Sequence, residues 1–179
     1  TYNKIVDEAL SEVDLPKQNK TIKEFVVGSC LVDLDEKAFI PKNYVTNSDE
    51  RLKMYGFIEK KSKGGFFDEI EAVFQDRFGV IPEELSLLID VMKIKNLASV
   101  LSIDKITIKK TRVSFIFFNN DQNLKIKQKA VLFLLDVLNK ENHKTDVKEK
   151  KGQLSIITKT INSVIETLNF LKKTTKKKQ

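Results

Sequence analysis

Lys105–Phe118, KITIKKTRVSFIFF, decides the fold. Ile106 and Ile108 alternate with polar residues on one side of Lys109-Lys110-Thr111; Val113, Phe115 and Phe117 alternate on the other. A period of two in β-branched and aromatic residues on both sides of a short polar link predicts a β-hairpin. Ile116 and Phe118 make its second strand apolar on both faces, which predicts an interior strand.

Toward the amino terminus the period changes to that of helices. Pro82 suits a first helical turn, whose N–H groups lack intrahelical partners. Glu83 and Glu84 bring negative charge to the positive helix end. Leu87, Val91, Ile94, Ala98 and Leu101 form one stripe and Leu85, Leu88 and Met92 a second, the arc of a central helix packed on more than one side. Phe66, Ile70, Val73 and Phe74 predict a further helix, ended at Phe78-Gly79 by a left-handed glycine. Before it, Asn47 and Glu50 have capping-box spacing. They start a helix that buries Leu52, Tyr55 and Ile58 and runs to about Lys61, before Gly64-Gly65 breaks it. Ile40-Pro41 forces an extended lead into that helix. Phe25–Leu34 is β-like with a bend at Gly28. Leu15-Pro16 to Lys20 reads as a polar linker, and Thr1–Leu10 as the end of a helix through Ile5, Val6, Ala9 and Leu10.

Toward the carboxyl terminus, Ile126, Ala130, Phe133, Leu134, Val137 and Leu138 predict a helix over about Lys125–Asn139. Glu141–Gly152 reads as a polar connection, Leu154–Ile157 as a strand, and Ile161, Val164, Ile165, Leu168 and Leu171 as the face of a last helix. No internal repeat is visible. The expected fold is α+β: a helical first half followed by a small sheet, a hairpin plus a further strand, with packed helices.

The 179 residues suit one domain with a short extra piece, and 41% hydrophobic content can build a core. The opening on Thr1 is that expected of a fragment of a longer chain. No secretory signal opens the sequence and no apolar run approaches the ~20 residues of a membrane helix. The single cysteine, Cys30, excludes an internal disulfide and fits a reducing cytoplasm. The net charge is +7, but the lysines of Lys172–Gln179 carry five of those charges, leaving +2 on residues 1–171. Residues 173–179 therefore read as a solvated, disordered basic tail.

Catalytic signatures are missing from the sequence. There is no G-x-x-x-x-G-K-[ST] and no G-x-G-x-x-G to cradle phosphates. One histidine and one cysteine do not make the clustered donors of a metal site. His143, in a lysine-rich connector, reads as a surface residue, and Cys30 as a small core residue with no activating base. Glu59, Asp68, Glu69, Glu71 and Asp90 fall at solvent-facing helix positions. The phenylalanines occupy core-type positions rather than a stacking platform for bases. No enzyme activity, cofactor, metal, small-molecule substrate or membrane is called for.

Four motifs in order add to this reading. Ile40-Pro41-Lys42-Asn43-Tyr44-Val45 is followed by Arg51-Leu52-Lys53-Met54-Tyr55, then by Asp76-Arg77-Phe78-Gly79 with Pro82, then by Leu87-Leu88 and Lys93-x-Lys95-x-Leu97-Ala98. Together they resemble the carboxy-terminal domain of bacterial transcription-repair coupling factors. Beyond Ile103 the similarity is one of pattern only. The resemblance implies residues 1–38 as the motor's exit helix and a connector strand, and residues 39–172 as the terminal domain. It implies a parent that is a DNA-translocating ATPase of transcription-coupled nucleotide excision repair, binding ATP and damaged DNA through parts upstream of this chain. Within such a parent the domain is similar to a latch, folding back on a UvrB-like amino-terminal module and masking the surface that UvrA binds. RNA polymerase and double-stranded DNA are then indirect partners.

Under that resemblance Asp76 and Arg77, with Glu71 nearby, are the partner-facing candidates. Arg77 has two readings, as a cap on its own helix's last carbonyls or as half of an intermolecular ion pair. Val73, one turn before Asp76, is apolar where an acidic interface residue would suit the family pattern. Ile40, Pro41, Tyr44, Arg51, Leu52, Tyr55, Phe78, Gly79 and Pro82 read as structural. The alternative function is a DNA-binding module acting through the basic tail.

Overall fold

The hairpin forms as its alternation dictates. In the computed structural model, which describes residues 30–118 and 124–178, strand β2 (Lys105–Lys109) pairs antiparallel with β3 (Arg112–Phe118), placing Ile106 opposite Phe115 and Ile108 opposite Val113. Strand β1 (Leu31–Leu34) lies parallel to β2, with Val32 beside Ile106 and Leu34 beside Ile108. A parallel pair needs a long crossover. Three helices supply it: α1 (Ser48–Lys63), α2 (Phe67–Phe78) and α3 (Glu83–Val100). Then come helix α4 (Leu124–Lys140), strands β4 (Thr145–Lys150) and β5 (Gln153–Thr158), and helix α5 (Val164–Lys178). The sheet order is β1-β2-β3-β5-β4. The α+β reading is correct, with β3 in the middle of the sheet.

One sheet face carries the core. Val32, Ile106, Ile108, Val113, Phe115, Phe117 and Ile156 are all buried on it. Removing side chains of this size from water stabilises the fold by roughly 1.5–3 kcal/mol each. Phe170 of α5 lies on this face, its ring 5.7 Å from that of Phe115. Helix α3 is central, with Leu85, Leu88, Ile89, Val91, Met92, Ile94 and Ala98 buried, and it packs against α1, α5 and β1. The opposite sheet face, with Ile116, Phe118 and Ile157, is half-buried.

The structure corrects several sequence expectations. The polar connection contains β4: Val147 pairs with Ile156 and Lys148 with Ser155. The carboxy-terminal lysines are no disordered tail, because α5 continues through Lys178 with Thr174 fully buried and its hydroxyl donating to the Phe170 carbonyl at 2.8 Å. Ile165, expected on the buried face of that helix, is 66% exposed; Thr167 and Phe170 are buried instead. Glu59 is buried rather than solvent-facing, its carboxylate accepting from Lys63 at 2.7 Å. His143 is wedged rather than free, with Nδ1 2.7 Å from the Thr160 hydroxyl and the ring edge-on to Phe170. Cys30, Val32, Leu34 and Ala38 share the core with α3, so the strand read as a connector is an integral part of the sheet. The predicted helix at Thr1–Leu10, the linker at Leu15–Lys20 and the bend at Gly28 lie outside the described residues.

Candidate docking site

The motif residues converge on the carboxyl end of α2. Asn47 caps α1, its side-chain oxygen accepting from the Glu50 N–H at 2.9 Å. Only that half of the predicted capping box forms, because the Glu50 carboxylate turns away to pair with Arg77. Arg51 is buried, and its guanidinium donates to the Val45 carbonyl at 2.8 Å. The Tyr55 hydroxyl accepts from the Ile40 N–H at 2.9 Å. Together these contacts pin the Ile40–Val45 segment to α1.

Tyr44 carries that segment to α2. Its hydroxyl lies 3.0 Å from the Phe74 carbonyl oxygen and 2.9 Å from that of Gly79, within reach of both with one proton. Its ring stacks near Phe74 and tilts against Phe78. The helix stops at Gly79, which has φ +88° and ψ −152°. Glycine is required there, as expected, because φ is positive, although ψ lies far from the left-handed helical value. Pro82 stands one residue before the first turn of α3, and its carbonyl accepts from the Ser86 N–H.

Arg77 does not cap its own helix; the Gln75 carbonyl accepts instead from the Gly79 N–H. Its guanidinium pairs with Glu50, lies 3.4 Å from the Met54 sulfur and sits over the Phe78 ring, 5.1 Å from its centroid. Asp76 beside it is exposed. Glu71 is on another side of the helix. Five residues at 3.6 per turn place it about 140° from Asp76, and it pairs with Lys93 of α3 at 3.0 Å. Burial pulls the Lys93 ammonium down, but the hydrogen bond and charge of Glu71, with Asp90, hold its pKa above the ordinary lysine value.

The structure thus brings Asp76 and Arg77 together and leaves Glu71 apart. Asp68 and Ala72 share the outward stripe of Asp76, and Val80, 88% exposed, extends it past the helix end. Sequence reasoning did not single out Val80, since an apolar residue next to a glycine turn carries no periodic signal. Val73 packs against the core, which accounts for its apolar identity.

A second polar group lies inside. Lys95 of α3 is 1% exposed, and burial holds its pKa below the ordinary value against the opposing influence of Cys30 and Glu59. Burial pushes the Cys30 thiol up to about 12. At that value the thiol is protonated and inert, a core residue as expected.

Comparison with known proteins places this geometry. The family model of the TRCF domain matches residues 34–129, more than half of the chain. The transcription-repair-coupling factor of Staphylococcus aureus strain USA300 is 28% identical over 94 residues, covering 52% of this chain and 8% of that protein. The transcription-repair-coupling factor of Borreliella burgdorferi is 25% identical over 122 residues, covering 68% of this chain and 10% of that protein. The chain thus spans about a tenth or less of the length of the curated relatives it matches. A crystal structure of the C-terminal domain of transcription-repair coupling factor superposes with a TM-score of 0.63 at 18% identity, covering 85% of this chain and 97% of that one, a likeness of fold. The matched segment runs from the end of β1 through α1, α2, α3 and the hairpin into α4, and on that match the chain belongs to the TRCF domain family.

Proposed function

We propose that this chain is the regulatory and docking domain of a transcription-repair coupling factor, an ATP-dependent DNA translocase of transcription-coupled nucleotide excision repair. In this reading it performs no chemistry itself. It closes as an autoinhibitory latch on a UvrB-like amino-terminal module of the same parent and masks the surface that UvrA binds. Residues 1–38 lead in from the motor, and the terminal domain follows from residue 39, with β1 laid into its sheet. RNA polymerase and double-stranded DNA bear on it indirectly, through the parent.

The observation that carries the reading is the outward ridge at the end of α2. Asp76 is exposed, Val80 stands almost fully in solvent, and Arg77 is pre-ordered between Glu50 and Phe78. An ordered cation beside an exposed acid and an exposed apolar residue suits a contact that must open again, because rim charges set specificity and are displaced by salt. A few kcal/mol of docking keeps a closed state dominant.

The test is calorimetric titration of this chain into the parent's UvrB-like module, with Asp76→Lys as the control. Micromolar binding abolished by the substitution supports the latch and this ridge. Binding that survives moves the interface elsewhere. A tether raises effective concentration to about millimolar, so failure of a tethered pair to close overturns the latch.

A further inference from the structure

Helix α4 is deeply buried at one end only. Its fully buried residues, Leu134, Val137 and Leu138, all lie in the carboxy-terminal half. In the other half Leu124, Ile126 and Leu132 are 39%, 58% and 67% exposed. The helix stands off from the sheet there, and the wedge is an apolar cavity of about 270 Å³. Phe117 and Leu154, paired across β3 and β5, line it from the sheet, and Leu124, Gln128, Val131 and Leu132 from the helix. Lys127 ties the standing end to the sheet through Asp104 and the Phe118 carbonyl, at 2.9 Å from the latter.

The volume lies below the roughly 300–1,000 Å³ of small-ligand sites, so the cavity suits an anchoring side chain rather than a whole small molecule. Charge selects its source. Helix α4 carries four lysines against one aspartate, and its first turn has no acidic residue. Lys127 is neutralised internally, whereas Lys125 and Lys129 are exposed. The positive helix end adds to them. A second copy of this chain, with net charge +7, would bring like charge to the site. We propose that the α4 groove docks an acidic amphipathic segment of a partner protein, which inserts a bulky apolar side chain between Leu132 and Phe117. The surface is carried by elements other than the α2 ridge and is independent of the latch.

The probe is a fluorescein-labelled acidic amphipathic peptide with leucines at i, i+3 and i+7, the spacing of helix-in-groove ligands, titrated with the whole chain and read by anisotropy. The expected result is saturable binding, weakened about tenfold by Leu132→Glu, the loss typical of a central anchor contact. Leu132 is exposed, so the substitution leaves the core intact, and an unchanged circular dichroism spectrum checks this. Lys125→Glu with Lys129→Glu, both on the surface, should also weaken binding and reduce its salt dependence. A peptide with lysine in place of glutamate should bind at least about tenfold more weakly, as charge complementarity demands. The proposal is overturned if the acidic peptide does not bind, or if serine in place of its leucines changes nothing. It is also overturned if Leu132→Glu instead abolishes a self-association seen by sedimentation, or binding to phosphatidylglycerol vesicles.

Discussion

Arg77 reaches from α2 to Glu50 in the first turn of α1, so the cation expected at a partner interface is already paired within the domain. Its substitution therefore confounds folding with docking. Both groups are partly exposed, and such surface pairs contribute under about 1 kcal/mol. Arg77→Glu should lose a little more, through repulsion with Glu50. The reciprocal swap, Glu50→Lys with Arg77→Glu, should restore the denaturation midpoint. If docking uses the positive charge of Arg77, the swap will still fail to bind the UvrB-like module. Recovery of binding together with stability would reduce Arg77 to a structural role.

Tyr44→Phe removes the one proton that serves the Phe74 and Gly79 carbonyls while keeping the stacked ring. Urea denaturation should show a loss of about 1–2 kcal/mol, the cost of unmaking a partly buried hydrogen bond. An unchanged midpoint would mean that water replaces the hydroxyl at no cost.

Gly79→Ala isolates backbone strain, because a Cβ there meets nothing within 4 Å. With φ at +88° the substitution should cost about 1–3 kcal/mol by the same measurement, all of it conformational. It should also displace Val80, so binding to the UvrB-like module should fall further than for an equally destabilising core substitution.

The Cys30 thiol gives a pH signature. In the unfolded chain it ionises near 9, and in the folded chain burial holds the proton to about 12. Between those values the native state binds more protons than the unfolded one, so this group makes stability fall as pH rises. Lys95, whose folded pKa is depressed, acts in the opposite direction below its ordinary value. The readout is therefore the difference between wild type and Cys30→Ala over pH 8–11, roughly the alkaline window of the thiol. The variant should lose the falling component. Identical slopes would show that the thiol does not titrate as its burial requires.

Deleting residues 172–179 tests the correction to the tail. A solvated tail would leave the melting temperature unchanged. Because Thr174 is fully buried and Lys177 pairs with Glu141 at 2.7 Å, the truncation should cost about 1–3 kcal/mol, as ordinary losses of packing do.

Much of this was legible in the residues. The hairpin, the capped start of α1, the glycine stop of α2 and the wide apolar arc of α3 all follow from local period and turn chemistry. What was hidden depended on partners distant in sequence. The Glu50 carboxylate is captured by Arg77, 27 residues on, which no capping rule anticipates. Thr167 and Thr174 are buried because threonine satisfies its hydroxyl on the preceding turn, so a polar letter hid a core position. The division of the docking candidates, by contrast, was legible: five residues at 3.6 per turn already set Glu71 and Asp76 on different sides of one helix.

Strand β4 was missed because of its composition, Thr145-Asp-Val-Lys-Glu-Lys150, and that composition has a consequence for the molecule's solubility. The strand closes one margin of the sheet, where unpaired N–H and C=O groups could recruit a strand from another molecule. Charged side chains, lysine above all, are a recognised defence against such edge-to-edge aggregation. Val147 is the only apolar residue among the six. The charges that disguise this segment as a loop also guard it against growing a longer sheet.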